Sequence, residues 1–315
     1  MKRFGLIGHP VAGSFSPRLF EAAYGGRYAY DLLEGAVFDA SWQRFLDGYD
    51  GINITAPFKQ DAFRAVDALS DDARLCGAVN LAVKTPAGIV GYNTDVAGVV
   101  LAVREALAGL ASPGAQSVIP GSSDASSAIP GSPDAQPAIP GSTGNLLTEA
   151  LIVGCGGAGR AAAVAALRLG CRVTLVNRTP ARAADLADDL NARLSPIDSG
   201  SLSIGPTPLS TGTGSLSIGP NGPAGSRPAL TRVPAESIGA LSPDLVIYTV
   251  PGPMDGFPDF SGAVILEANY RTPCLEGRGK TYISGLRWLL YQAVAGYEIF
   301  TGETPDADAM FRIFC

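Results

Sequence analysis

Residues 151–179 constrain this chain more than any other stretch. LIVGCGGAGRAAAVAALRLGCRVTLVNRT reads as an apolar strand, the turn Gly154-x-Gly156-x-x-Gly159, an alanine-rich helix and a second strand ending at Val176. In that setting G-x-G-x-x-G marks a dinucleotide-binding βαβ unit. Gly154 permits the tight turn, Gly156 lets the backbone approach a pyrophosphate, and Gly159 lets the helix pack on the strand. With Gly157 they are expected to hold the cofactor against the free amides and positive dipole of the helix N-terminus. An NAD site usually carries Asp or Glu at the end of the second strand. Here that position is Asn177, followed by Arg178 and Thr179, with Arg182 beyond. Two guanidiniums and a hydroxyl suit a 2′-phosphate that a carboxylate would repel, so the expectation is NADP. The other reading makes the arginines ordinary helix-surface charges.

The rest alternates strand and helix. Apolar runs at 4–7, 51–54, 81–84, 150–153, 172–176, 245–248 and 263–266 read as strands, and 17–24, 57–68, 96–107, 157–169, 180–194 and 286–300 as helices. Such alternation predicts α/β architecture with parallel sheets. Two segments break it, at about 112–145 and 195–228. The first carries SVIPGSSDAS, SAIPGSPDAQ and PAIPGSTGN; the second carries GSLSIGP twice. They account for much of the high content of Gly (39) and Pro (24), and they read as flexible insertions, inert or binding through the repeat.

Charge and composition exclude several function classes. Lys and Arg number 23 against 29 Asp and Glu, a net charge of −6, so no nucleic-acid-binding surface is expected. No apolar run is long enough for a membrane span, and MKRFGLIGHP reads as a first strand rather than a signal peptide. The five cysteines are scattered, which predicts neither disulfides nor a metal site and fits a cytoplasmic protein. The single histidine, His9, ends the first strand. It reads as structural or peripheral, with a catalytic base as the alternative.

Three clusters in the first hundred residues carry chemistry. Ser14-Phe-Ser16-Pro17 precedes a helix; Ser16 is either its N-cap or, with Ser14, a binder of a carboxylate. In GINITAPFK the strand presents Asn53 and Thr55, and Lys59 falls in a first helical turn, where the macrodipole disfavours a cation. That placement points to a working lysine. GAVN, ending at Asn80, and GYNTD, ending at Asp95, put amides and a carboxylate at strand ends, where they either shape turns or face a ligand.

These motifs resemble the shikimate dehydrogenases: GHPVAGSFSP, GINITAPFK, GAVN, GYNTD, GCGGAGRA with NRTPAR, and GLRWLLYQAVAGYEIFTG occur in the family's order. The resemblance implies an α/β fold: an N-terminal substrate domain (1–98 plus 284–315) and a Rossmann NADP-binding domain (99–283), with the site in the cleft between them. It implies NADP-dependent reversible reduction of 3-dehydroshikimate to shikimate. Ser14, Ser16 and Tyr270 would lie by the substrate carboxylate, Thr55, Asn80, Asp95 and Gln292 by the ring hydroxyls, and Lys59 with Asp95 would be the catalytic pair. Metal is not expected, and the enzyme would be a monomer or homodimer. Departures are Gly13 where the family usually has His, Glu267 where it has Asp, Trp288 where Met is common, and an altered stretch at 248–254 near the expected nicotinamide site. The alternatives are a quinate or other polyol-acid dehydrogenase, or a non-catalytic NADP-binding regulator.

Overall fold

In a computed structural model, residues 2–111, 147–194 and 230–314 are described. The repeat segments lie outside the described residues. The N-terminal region runs β1 (Arg3–Gly8), α1 (Ser16–Tyr24), β2 (Ala29–Glu34), α2 (Phe38–Gly48), β3 (Gly51–Ile54), α3 (Lys59–Ala65), β4 (Ala68–Leu69), α4 (Asp71–Cys76), β5 (Leu81–Thr85), β6 (Gly88–Tyr92) and α5 (Thr94–Ala111). Its strands form a six-stranded sheet in the order β2-β1-β3-β5-β6-β4. β2, β1 and β3 are parallel, but β5 pairs antiparallel with both β3 and β6. This sheet is therefore mixed, not parallel as the alternation implied. The cause is local: T-P-A-G closes a tight turn in which Thr85 Oγ1 donates to the Gly88 carbonyl at 2.8 Å.

The second sheet comprises β7 (Glu149–Val153), β8 (Arg172–Val176), β9 (Leu230–Arg232), β10 (Leu245–Tyr248), β11 (Phe260–Glu267) and β12 (Gly279–Ser284), with α6 (Gly157–Arg168) and α7 (Pro180–Leu194) between its first three strands. Its order is β12-β11-β10-β7-β8-β9, every neighbour parallel. That is the doubly wound dinucleotide-binding order, whose chain reversal falls beside the first strand. β7 is buried on both faces, as central parallel strands are. The small side chains 161–163 and 165–166 are fully buried and let α6 lie close on the sheet.

The chain ends in α8 (Gly285–Thr301) and α9 (Ala307–Phe311). α8 joins the two halves. Leu290, Tyr297 and Phe300 pack with Phe4 and Phe20 on the first sheet, whereas Trp288 and Tyr291 belong to the core of the second. On the far side, Arg168 of α6 donates to Asp72 of α4 at 2.9 Å, and Arg193 of α7 donates to the Arg74 carbonyl at 2.9 Å. The cleft lies between these connections.

Candidate active site

A cleft of about 610 Å³ opens between the two sheets. Ser14, Ser16, Thr55, Lys59, Asn80, Asp95, Tyr270 and Gln292, all expected from the sequence, line it together. They come from distant parts of the chain: the loop before α1 and its first residue, the residue after β3, the start of α3, the loop before β5, the start of α5, the loop after β11, and α8.

At its base Lys59 Nζ meets Asp95 Oδ2 at 2.6 Å, and both side chains are largely shielded from solvent. Asp95 sits in the first turn of α5, where the helix dipole favours an anion, and Lys59 opens α3, where it disfavours a cation. The carboxylate compensates the lysine. Buried polar groups frame the pair. Thr94 N–H donates to Asn80 Oδ1 at 2.8 Å, and Asn80 Nδ2 donates to Thr94 Oγ1 at 3.1 Å. Thr94 Oγ1 lies 3.4 Å from Gln292 Oε1. Tyr30 donates to Asn53 Oδ1 at 2.8 Å, and burial pushes the phenol well above its ordinary pKa, so it stays a donor.

Trp288 is nearly buried, and its Nε1 donates to the Asp95 carbonyl at 2.9 Å. Gly98 makes room for it: a Cβ there would lie 2.7 Å from Trp288 Cδ1. The indole thus braces the backbone of Asp95, a role the sequence alone left open.

Of the two readings of Ser16, the helix cap does not hold. Ser16 is the first residue of α1, and the cap position falls to Phe15, which makes no side-chain cap bond. The chain turns one residue earlier than the Ser-Pro pattern suggests. Ser14 Oγ accepts from the Ser16 N–H at 3.2 Å and donates to Ser16 Oγ at 3.0 Å, which gathers both hydroxyls at one end of the cleft. His9 is exposed, with Nδ1 3.3 Å from Glu34, and does not line the cleft.

Across the cleft the loop after β11 carries Tyr270. Glu267, fully buried, accepts from the Cys274 and Leu275 amides, the Cys274 thiol and the Tyr282 hydroxyl, with the closest at 2.9 Å. Asn269 further ties the loop by donating to the carbonyls of Thr272 at 2.9 Å and Pro251 at 3.3 Å. Arg271, which belongs to no motif legible in the sequence, also reaches the cleft from this loop. Its signal was a lone cation beside Tyr270, indistinguishable in sequence from a surface charge.

From the glycine turn only Ala158 lines the cleft; Gly154, Gly156, Gly157 and Gly159 lie beside it. Gly154 has φ +99°, and a Cβ there would lie 2.5 Å from Thr249 Oγ1; a Cβ on Gly159 would collide with the Gly154 carbonyl oxygen. Gly156 and Gly157 face open space, and Gly156 caps α6 without any side-chain bond. That open cradle of amides fits a pyrophosphate. Asn177 holds the loop from behind: its Oδ1 accepts from the Cys155 amide at 3.1 Å and its Nδ2 donates to the Thr179 carbonyl at 3.0 Å. Arg178, Thr179 and Arg182 are exposed beyond β8, and the two arginines have no carboxylate partner among the described residues. In the altered stretch Tyr248 turns into the core and donates to the Gly252 carbonyl at 2.6 Å, while Thr249 Oγ1 donates to the Val153 carbonyl at 3.0 Å. Among the described residues no His, Cys, Asp or Glu cluster could hold a metal ion, and no helix is long and apolar enough to cross a membrane.

Residues 6–82 match the family model described as the shikimate dehydrogenase substrate binding domain. The shikimate dehydrogenase (NADP(+)) of Acidiphilium cryptum is 32% identical, the match covering 98% of this chain and 94% of that one. Among solved structures, shikimate 5-dehydrogenase from Thermus thermophilus, in complex with NADP(H) and shikimate, superposes with a TM-score of 0.67 at 24% identity, covering 99% of this chain and 98% of that one. Quinate dehydrogenase from Corynebacterium glutamicum, in complex with NAD, gives 0.70 at 23% identity over the same shares. With sequence identity sustained along nearly the whole of both chains, and the same fold in the solved structures, the chain belongs to the shikimate dehydrogenase family.

Proposed function

We propose that the protein is an NADP-dependent shikimate dehydrogenase that reversibly reduces 3-dehydroshikimate to shikimate. The observation that carries this reading is the Lys59–Asp95 pair at 2.6 Å, set in a cleft with hydroxyls and amides on one wall and an open glycine turn on the other. Hydride for the ketone carbon comes from NADPH when it is bound. Gly156, Gly157 and the α6 amides would hold its pyrophosphate, and Arg178, Thr179 and Arg182 its 2′-phosphate.

The chain's own residues supply the rest. Reduction places negative charge on the ketone oxygen, and Lys59 stabilises that charge and delivers a proton to it. Asp95 keeps Lys59 in place and accepts from a ring hydroxyl. In the oxidative direction the same pair takes the proton back. Asn80, Thr55 and Gln292 orient the ring hydroxyls, and Ser14, Ser16 and Tyr270 receive the carboxylate. Because Asn80 and Thr94 already satisfy each other, little rearrangement is needed to set the ring.

Steady-state oxidation of shikimate and of quinate, each with NADP and with NAD, tests the reading. The expected result is highest kcat/KM for shikimate with NADP. Absence of reduced cofactor with every pair would refute the assignment, and preference for quinate or NAD would correct its substrate or cofactor.

A further inference from the structure

We propose that Arg271 is a substrate-carboxylate ligand that reaches across the cleft and sets this site's preference for an ionised acid. The inference rests on the dehydrogenase reading above and deepens it.

The charge distribution points there first. Among the described residues lining the cleft, only Lys59, Asp95 and Arg271 are charged, and the first two neutralise each other. The remaining cation is therefore Arg271, and no carboxylate among the described residues pairs with it. Its position points the same way. Arg271 Nη2 donates to the Gly13 carbonyl at 3.1 Å, beside Ser14. Gly13 has no side chain, and a Cβ there would lie 3.4 Å from the same nitrogen, so the guanidinium rests over bare backbone at the serine end. Tyr270 converges on that end too, its ring 6.1 Å from that of Phe15, which lies between the two serines.

One bond to a carbonyl uses one of five guanidinium donors. The others remain available at a place where two hydroxyls are already gathered. A guanidinium and hydroxyls together recognise a carboxylate through charge-assisted bonds. The loop is fixed from beneath by Glu267 and Asn269, so little ordering is required when the anion arrives. Since Ser14 and Ser16 belong to the first sheet's half and Arg271 to the second's, a carboxylate bound among them ties the halves together over the cleft.

The test compares shikimate with its methyl ester, NADP saturating, in wild type, R271M and R271K. The expected result is a KM for shikimate raised about ten-fold or more in R271M. The ester, which offers no anion, should lose less than about two-fold, so the acid-to-ester ratio of kcat/KM collapses; R271K should recover part of it. Equal losses on acid and ester would mean that Arg271 only latches to Gly13, and unchanged kinetics on both would remove it from the site; either result overturns the inference while leaving the dehydrogenase assignment standing. If wild type fails to oxidise shikimate at all, the assignment falls and the inference falls with it.

Discussion

The two walls of the cleft are built on opposite plans. On the wall formed by the first sheet with α5 and α8, most polar groups are already partnered: Lys59 with Asp95, Asn80 with Thr94, Ser14 with Ser16, and Trp288 with the Asp95 carbonyl. On the wall formed by the second sheet, the amides around Gly156 and Gly157 face open space, and the exposed Arg178 and Arg182 have no carboxylate partner among the described residues. Buried polar groups are costly unless satisfied, so a site of aligned hydroxyls and amides must be largely prebuilt. A phosphate-binding wall can stay open because exposed cations and amides are solvated until an anion replaces the water. On the proposed function, the difference separates chemistry from cofactor capture, and substitutions on each wall should fail differently.

The largest effect belongs to the prebuilt wall. Lys59→Met should lower kcat by about 10²–10⁴-fold, the usual scale for removing a proton-transfer group, measured as shikimate oxidation with both substrates saturating. Within the open wall, the glycines divide into two kinds. Gly159→Ala drives a methyl into the Gly154 carbonyl and should cost about 1–3 kcal/mol of stability, visible as a lowered Tm. Gly156→Ala meets nothing within 4 Å and should keep the wild-type Tm while raising KM for NADP. Equal Tm losses would erase that distinction. The arginine pair comes next: Arg178→Ala with Arg182→Ala should lower the NADP-to-NAD preference about ten-fold or more by removing charge-assisted contacts, read from the kcat/KM ratio.

The smallest effect lies outside both walls. Asp244 Oδ2 accepts from the Thr148 amide and hydroxyl, each at 2.8 Å, and from the Glu149 amide at 3.0 Å. Burial alone would raise its pKa, but these donors outweigh it and hold the carboxyl below its ordinary value. Its stabilisation is therefore complete above the unfolded-state pKa, near 3.9, and fades as pH falls through the lower folded value. Asp244→Asn should lower stability at neutral pH by under about 1 kcal/mol, since the group is only partly shielded. The deficit should vanish in acid melts; a deficit independent of pH would contradict the account.

Legibility in sequence followed the range of the interactions. The glycine turn was readable because strand, turn and helix are contiguous and each glycine has a local cause. The clustering of Lys59 with Asp95 has no local cause: 36 residues separate them, and only resemblance to the family placed them together. Ser16 reads equally as cap or ligand because Ser-Pro is ambiguous by one residue, and the helix starting at Ser16 removes the cap reading. The β5–β6 hairpin escaped because GIVGY, two apolar residues between glycines, does not read as a strand until it pairs with β5. Trp288 and Arg271 were least accessible. Trp288 fits only because Gly98 lacks a side chain, and Arg271 meets the cleft through the Gly13 carbonyl; both contacts arise only once distant segments are brought together.

The division of labour between the walls is tested most directly by titrating NADPH into Lys59→Met. The account predicts wild-type Kd for NADPH with turnover lost. NADPH binding weakened in step with turnover would contradict it, because the two walls would then be one site.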